Sequence, residues 1–370
     1  MDFLRWAATL GGECHLCGNA SNAYKGLLVF LRGLRHGGRV NVVLPTYLPA
    51  KLWRATLAAG CEARFYAVDE RCAPDLGSIE ALVDGGTIAV LAVHYFGFPA
   101  PIDEITAIAR RGGACLIEDC ALTLGGADRG RPLGTIGHAS IFSMRKMLLY
   151  SEGGLLRVGD ELQGLRLRYE RRVASAWSLQ HFLRQRAKRL YVRATGGADP
   201  LGLCTLGPLG HMDWSRPQEL DVKRPSHFTE QRLRFSDVER AIARRRRNYQ
   251  RIAARVPSTP RLSLLHPVLP DDVTPYALPV LVHDGTRDAL RQALLRRGVV
   301  SGAGWPESPF DRRHRGAARL AASLLELPVH QALTDAQVER TISAIEELRD
   351  PGSRRELEAA AQTTGAGRLR

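Results

Sequence analysis

Residues Cys115–Val158 read CLIEDCALTLGGADRGRPLGTIGHASIFSMRKMLLYSEGGLLRV, and this stretch decides the fold. An apolar run ends on the acids Glu118 and Asp119, and a glycine-rich turn region follows. A second apolar run reaches Ser143; Arg145 and Lys146 come next, then the pair Gly153 and Gly154. Asp119 thus closes one predicted strand, and Lys146, 27 positions later, lies beyond a second. Open α/β sheets gather their functional groups at strand ends. An acid that can hold a protonated pyridine nitrogen and a lysine that can form a Schiff base are what pyridoxal 5'-phosphate (PLP) requires.

Upstream, strands and helices alternate. RVNVVLP from Arg39, ARFYAVD ending at Asp69, and TIAVLAVHYFG closing at His94, Tyr95 and Gly97 read as strands. AKLWRATLAAG, GSIEALVDGG and IDEITAIARRGG read as the helices between them. Helices of 10–15 residues at this pitch mean βαβ units and a largely parallel sheet. HASIFSM, GGLLRVG and, weakly, the segment between them are further strand candidates. Before the first strand, GGECHLCGNASN leads into a helix predicted from about Asn22 to Leu34. Asn19, Ala20 and Ser21 open that helix, and small residues there leave backbone N–H groups free for a phosphate. Cys14 and Cys17 have C-x-x-C spacing but no second pair or histidine at metal-site distance, so they read as structural thiols.

Downstream, residues 160–200 read as a long basic helical segment. A Gly- and Pro-rich crossover begins at Ala194, and a second helical run extends from about Thr229 to Val256. The strands TPYALPVLVHD, VVSG and LPVH and the helices DALRQALLRRG and Asp335 to Leu348 read as a small α+β domain. The predicted organisation is a large α/β domain over 1–225, a small C-terminal α+β domain over 226–350, and a disordered tail over 351–370.

The chain has 370 residues, with 45% hydrophobic and 24% charged, the balance of an ordinary globular protein. Seven scattered cysteines suit reduced thiols of a cytoplasmic protein, and neither a secretory leader nor a membrane span is predicted. The formal charge is +14, with much of the excess in arginine runs such as Arg244 to Arg247. These read as solvated basic surface or attraction for an anionic substrate, and no nucleic-acid-binding motif accompanies them.

Five blocks carry a resemblance. VLPTYLPA at 43–50, HYFGFPAPIDEI at 94–105, LIEDCALTLGG at 116–126, FSMRK…SEGG at 142–154 and LPVHQALTDAQVERTISAI at 327–345 stand in order. Together they resemble the DegT/StrS-like sugar aminotransferases, PLP-dependent enzymes of fold type I, over roughly 18–348. The resemblance implies an α/β fold, with a mostly parallel sheet between helices and a small C-terminal α+β domain. It makes Lys146 the Schiff-base lysine and Asp119 the partner of the pyridine nitrogen. It makes Ser143 a phosphate ligand, with Asn19, Ala20 and Ser21 as the cradle for the same phosphate. His94 and Tyr95 line the pocket or pack structurally, and the role of Glu118 stays open. Arg145 either lowers the basicity of Lys146 or turns outward.

Several positions depart from the family pattern. Leu122 stands where glutamine commonly approaches the cofactor's 3′-oxygen, and Leu124 where histidine is frequent. Pro49 occupies the place of the ring-stacking aromatic, so Tyr47 becomes the substitute. Ser143 and Lys146 are closer than in most members, as in a variant subgroup with an Arg-Lys pair, and the leader before the cradle is abbreviated. The expected partner-subunit asparagine is not evident around 215–235. His211, Trp214, His227, Trp305 and His330 are further pocket candidates.

By resemblance the expected activity is transfer of an amino group from glutamate or glutamine to a keto sugar or another keto intermediate, the acceptor being anionic or nucleotide-linked in one version. The retained lysine argues against the family's dehydratase branch, where histidine replaces it. Lyase, decarboxylase or condensation chemistry on the same scaffold, and a non-catalytic relative, are the alternatives. A homodimer is expected by resemblance, with no nucleic-acid or membrane partner.

Overall fold

The computed structural model describes residues 1–35, 38–194, 221–256, 258–305 and 314–348. Seven strands build the central sheet: β1 (Glu13–Cys17), β2 (Asn41–Pro45), β3 (Glu62–Tyr66), β4 (Thr87–Val93), β5 (Cys115–Cys120), β6 (Ala139–Ser143) and β7 (Gly154–Val158). Their spatial order is β1-β7-β6-β5-β4-β2-β3. Strands β2 to β6 run parallel to one another, and β7 is antiparallel to both β1 and β6. Strands β2, β4 and β6 are buried along their whole length, as expected where helices cover both faces.

The strands are linked by α2 (Ala20–Gly33), α3 (Ala50–Ala58), α4 (Leu76–Leu82) and α5 (Ile102–Arg111), with α1 (Phe3–Ala8) at the N-terminus. In α5, Ile102, Ile105, Ile108 and Ala109 form the buried stripe. Its first turn carries Asp103 and Glu104 and its last Arg110 and Arg111, the charge order that a helix dipole favours. A one-turn helix, α6 (Met144–Met147), joins β6 to the loop before β7. Farther along lie α7 (Ser175–Ala194), α8 (His227–Arg234) and α9 (Val238–Ala253). A second sheet of β8 (Leu262–Leu264), β9 (Ala277–Val282) and β10 (Leu324–Pro328) is wholly antiparallel. Helices α10 (Arg287–Arg296), α11 (Arg315–Ser323) and α12 (Asp335–Leu348) accompany it. Leu325 and Leu327 of β10 enter the core of this small sheet, whereas Leu324 joins the core of the large one.

Several elements differ from the sequence expectation. ECHLC, to which the sequence reading assigns no element, is β1, and its polar residues sit on a sheet edge that tolerates them. The segment between the two late strands is helix α6 and loop, not strand. The basic segment of 160–200 opens with a single 3-10 turn at Asp160–Leu162 and is α-helical from Ser175, and Arg171–Arg172 pairs with Lys223–Arg224 as a short parallel bridge. The run from Thr229 to Val256 is two helices, broken where Asp237 caps α9 by accepting from the Arg240 N–H. VVSG is no strand; Gly302 makes a single antiparallel bridge to Glu326. The expected strand at 327–330 begins earlier, at Leu324. Arg244 to Arg247 are not simply solvated surface, since Arg245 is 1% exposed. The crossover, His211, Trp214 and the tail over 351–370 lie outside the described residues.

Candidate functional site

The site forms at the carboxyl ends of β5 and β6. Asp119 pairs in register with Ile141, so β5 and β6 present their ends to the same edge. Lys146 projects from α6, directly after β6, and is half-buried. Burial pushes its ammonium below the ordinary lysine range; Arg145, though exposed, adds to this, and Asp119 and Glu326 oppose it. Asp119 is 5% exposed. Burial pushes its carboxyl up, against the charge of Lys146. One carboxylate oxygen accepts from the Ala121 N–H at 2.9 Å, and the other receives no hydrogen bond from the described residues. A buried acid left half-satisfied has room for one more donor, which is what a protonated ring nitrogen offers.

The start of α2 is stitched to the lysine turn. The Gly153 N–H donates to the Gly18 carbonyl at 2.7 Å, and the Met144 N–H to the Gly153 carbonyl at 3.0 Å. At Gly154 a Cβ would stand 2.4 Å from the Ala20 nitrogen and 2.6 Å from the Asn19 carbonyl carbon, so only glycine lets β7 approach the helix start this closely. Asn19 caps α2, its side chain accepting from the Asn22 N–H at 2.9 Å. Ser143 is buried and makes no cap to α6. The N-terminus of α2, Ser143 and Lys146 therefore share one edge, and helix-start N–H groups suit a phosphate there.

An aromatic wall stands over the lysine. The Lys146 amine lies 5.8 Å from the centre of the Trp305 ring, whose centroid is 4.9 Å from Tyr47 and 6.0 Å from Tyr95. Tyr47 is fully buried and its hydroxyl accepts from the Trp305 N–H at 3.2 Å. Trp305, one of several candidates in the sequence, is thus the ring beside Lys146, and Tyr47 supports it from behind. Leu122 is buried three residues beyond Asp119 and offers no hydrogen bond. His227 is on the surface near Glu230, away from these contacts.

His94 and Glu118 serve the scaffold. His94 is fully buried, with Nε2 donating to Glu118 at 3.1 Å and Nδ1 accepting from the Ala100 N–H at 3.1 Å. Glu118 also accepts from the N–H groups of Gly134, Ile136 and Gly137. Burial works to raise its carboxyl, yet His94 and these amides hold it below the usual range. Cys120 lies close enough to this pair for a metal to bridge all three. The hydrogen bonds already account for the carboxylate, and burial keeps the thiol protonated. Cys14 and Cys17, three apart on β1, point to opposite faces and do not act as a pair.

Two residues here were not among the sequence candidates. Arg245 of α9 donates to the carbonyls of Lys146 at 3.1 Å, Met147 at 3.0 Å, Pro275 at 3.3 Å and Tyr276 at 2.9 Å. It clamps the turn that carries the lysine. Its heptad-like neighbours Ala241, Asn248, Tyr249 and Ile252 are buried on the same face, a signal the surrounding arginines obscured. The second residue is Glu326, described below.

Residues 6–185 match the DegT/DnrJ/EryC1/StrS aminotransferase family. Over 168 residues the chain is 33% identical to UDP-N-acetyl-3-dehydro-alpha-D-glucosamine 3-aminotransferase of Acidithiobacillus ferrooxidans, spanning 43% of this chain and 45% of that protein. The solved aminotransferase TlmJ from Streptoalloteichus hindustanus matches with a TM-score of 0.67 at 23% identity, covering 93% of this chain and 88% of that one. Helicobacter pylori PseC, an aminotransferase involved in pseudoaminic acid biosynthesis, matches with a TM-score of 0.65 at 15% identity, covering 93% and 90%. The architecture is that of the fold-type-I aminotransferases. The family match over residues 6–185 takes in just under half of the chain, and the chain spans about half the length of the curated relative it matches.

Proposed function

We propose that the protein is a PLP-dependent aminotransferase that moves an amino group from glutamate or glutamine to a keto sugar or a related keto intermediate. The observation carrying this reading is the half-buried Lys146 amine, coupled in charge to Asp119 on the adjacent strand and held beside the start of α2. Asp119 would hold the ring nitrogen, and Ser143 with the α2 start the phosphate. Trp305, backed by Tyr47, would cover the ring. PLP, when bound, supplies the electron sink that stabilises a carbanion at the substrate carbon. Lys146, with its basicity lowered by burial, is suited to take the proton from that carbon and return it.

The Arg145–Lys146 pair fits a variant subgroup of the family. A nucleotide-linked acceptor, a homodimer, a cytoplasmic location, and a division into a large domain over 1–225 and a small one over 226–350 belong to the same proposal. Among the described residues no helix is long and apolar enough to cross a membrane. Leu122, with no hydrogen bond to give near the ring, favours a second reading in which other PLP chemistry runs on the scaffold.

The test is direct. Protein given PLP should develop a visible absorbance band that borohydride shifts, and Lys146→Ala should lose it. Conversion to pyridoxamine phosphate by glutamate, glutamine or alanine then separates transamination from the alternatives. A colourless protein under these conditions ends the proposal.

A further inference from the structure

Glu326 stands where the pattern of its own strand asks for an apolar residue. In LLELP of β10, Leu325 and Leu327 point into the core of the small sheet. Side chains alternate along a strand, so Glu326 faces the other way with Leu324, which packs into the core of the large sheet. That face is the one on which its charge and that of Lys146 act on each other. The carboxyl lies against Gly302, where a Cβ would come within 2.1 Å of Oε2, and strand-like bonds of 2.9 and 3.0 Å fix the two backbones together. The Gly304 N–H donates to it, and Trp305 follows immediately. Its charge is felt by Lys146, Tyr47 and Tyr276, and Arg291 acts on it from α10. No ion pair or side-chain hydrogen bond holds it among the described residues. A charged group breaking its strand's pattern, within electrostatic reach of Lys146 and without a salt-bridge partner, is expected where function overrides local packing.

We propose that Glu326 is a specificity-determining residue, contacting the substrate from the small-sheet wall of the Lys146 cavity and selecting neutral or hydroxyl-bearing groups over a second carboxylate. The proposal deepens the aminotransferase reading and rests on it. Donor and acceptor occupy the same cavity in turn, and a like charge brought against Glu326 is costly in a low-dielectric site. L-Glutamine and L-glutamate have nearly the same shape and differ by one charge, so they report on this wall. Wild-type protein should prefer glutamine.

The experiment uses the PLP-loaded full chain. The band formed with PLP is read first in the wild type. Its rate of loss is then measured with L-glutamate and L-glutamine in wild type and Glu326→Gln. The variant should raise the glutamate-to-glutamine ratio about tenfold or more, mainly through binding. Glutarate, a dicarboxylate that cannot react, should quench the fluorescence of Trp305 at correspondingly lower concentration in the variant. Burial pushes the Glu326 carboxyl up to about 7, against Lys146 and Arg291. Wild-type protein should therefore bind glutarate more weakly as pH rises from about 6 to about 8. This arm requires no variant to fold. Failure of the wild type to take up PLP overturns the aminotransferase reading, and this proposal with it. A normal band with an unchanged donor ratio and a flat glutarate profile overturns the Glu326 assignment alone.

Discussion

At the scale of single residues, the site turns on what burial does to two opposite charges. Asp119 is held above its ordinary range and Lys146 below it, so each costs something to keep ionised without a ligand. A carboxyl whose folded value is raised binds its proton more readily folded than unfolded. Its penalty is absent at low pH and grows as pH rises through the folded value. Asp119→Asn removes that penalty. The cofactor-free variant should unfold at a higher temperature than wild type near pH 7, and the gap should close toward about pH 4. Activity should move oppositely, falling about a hundredfold or more as the preorganised partner of the ring nitrogen is lost. Paired melts and turnover assays check both signs. A variant that loses activity without gaining stability at pH 7 would show that Asp119 is compensated by Lys146 more fully than its shift implies.

At the scale of elements, the sequence disclosed the parallel core and obscured the edges. β4 and β5 are apolar runs ending at His94 and at Asp119 and Cys120, and hydrophobic burial alone brings His94 and Asp119 to one sheet edge. β1 escaped notice because an edge strand needs no continuous apolar pattern, and α6 because four residues are too few to show a period. Asp119 and Lys146 were legible because spacing and chemistry coincide. Glu118 was ambiguous, since its role depends on a loop folding back to donate three amide bonds, which no local pattern records. Gly153 and Gly154 were visible as a pair, but their task of seating β7 on the start of α2 appears only in three dimensions. Gly154→Ala pushes a methyl to within 2.4 Å of the Ala20 nitrogen. We expect a loss of about 1–3 kcal/mol of stability and a weaker grip on PLP, since α2 must withdraw from the lysine turn. Denaturant titration and PLP dissociation measured on one preparation test this. Unchanged PLP affinity with reduced stability would separate the helix start from the phosphate site.

At the scale of the whole molecule, the high positive charge conceals two kinds of arginine. Arg251 bridges Asp335 and Glu339 and Arg255 pairs with Glu346 on exposed faces of α9 and α12, where each contact contributes little. Arg245, on the same helix, is sealed and spends its guanidinium on four carbonyls, among them those of Lys146 and Met147. Gln331, just beyond β10, donates to the same Met147 carbonyl at 2.9 Å. The small C-terminal sheet and α9 thus hold the lysine turn of the large sheet from two directions, and the site depends on both parts staying packed. Arg245→Met leaves several buried carbonyls without donors and should cost on the order of 3 kcal/mol, whereas Arg251→Ala should cost less than about 1 kcal/mol. Because Arg245 and Gln331 meet at one oxygen, Gln331→Ala should cost more in the Arg245→Met background than alone. The expected coupling is about 0.5–1 kcal/mol in a double-mutant cycle of denaturant unfolding. Strict additivity would mean that the two donors act on the Met147 carbonyl independently and that the turn is not clamped as a unit.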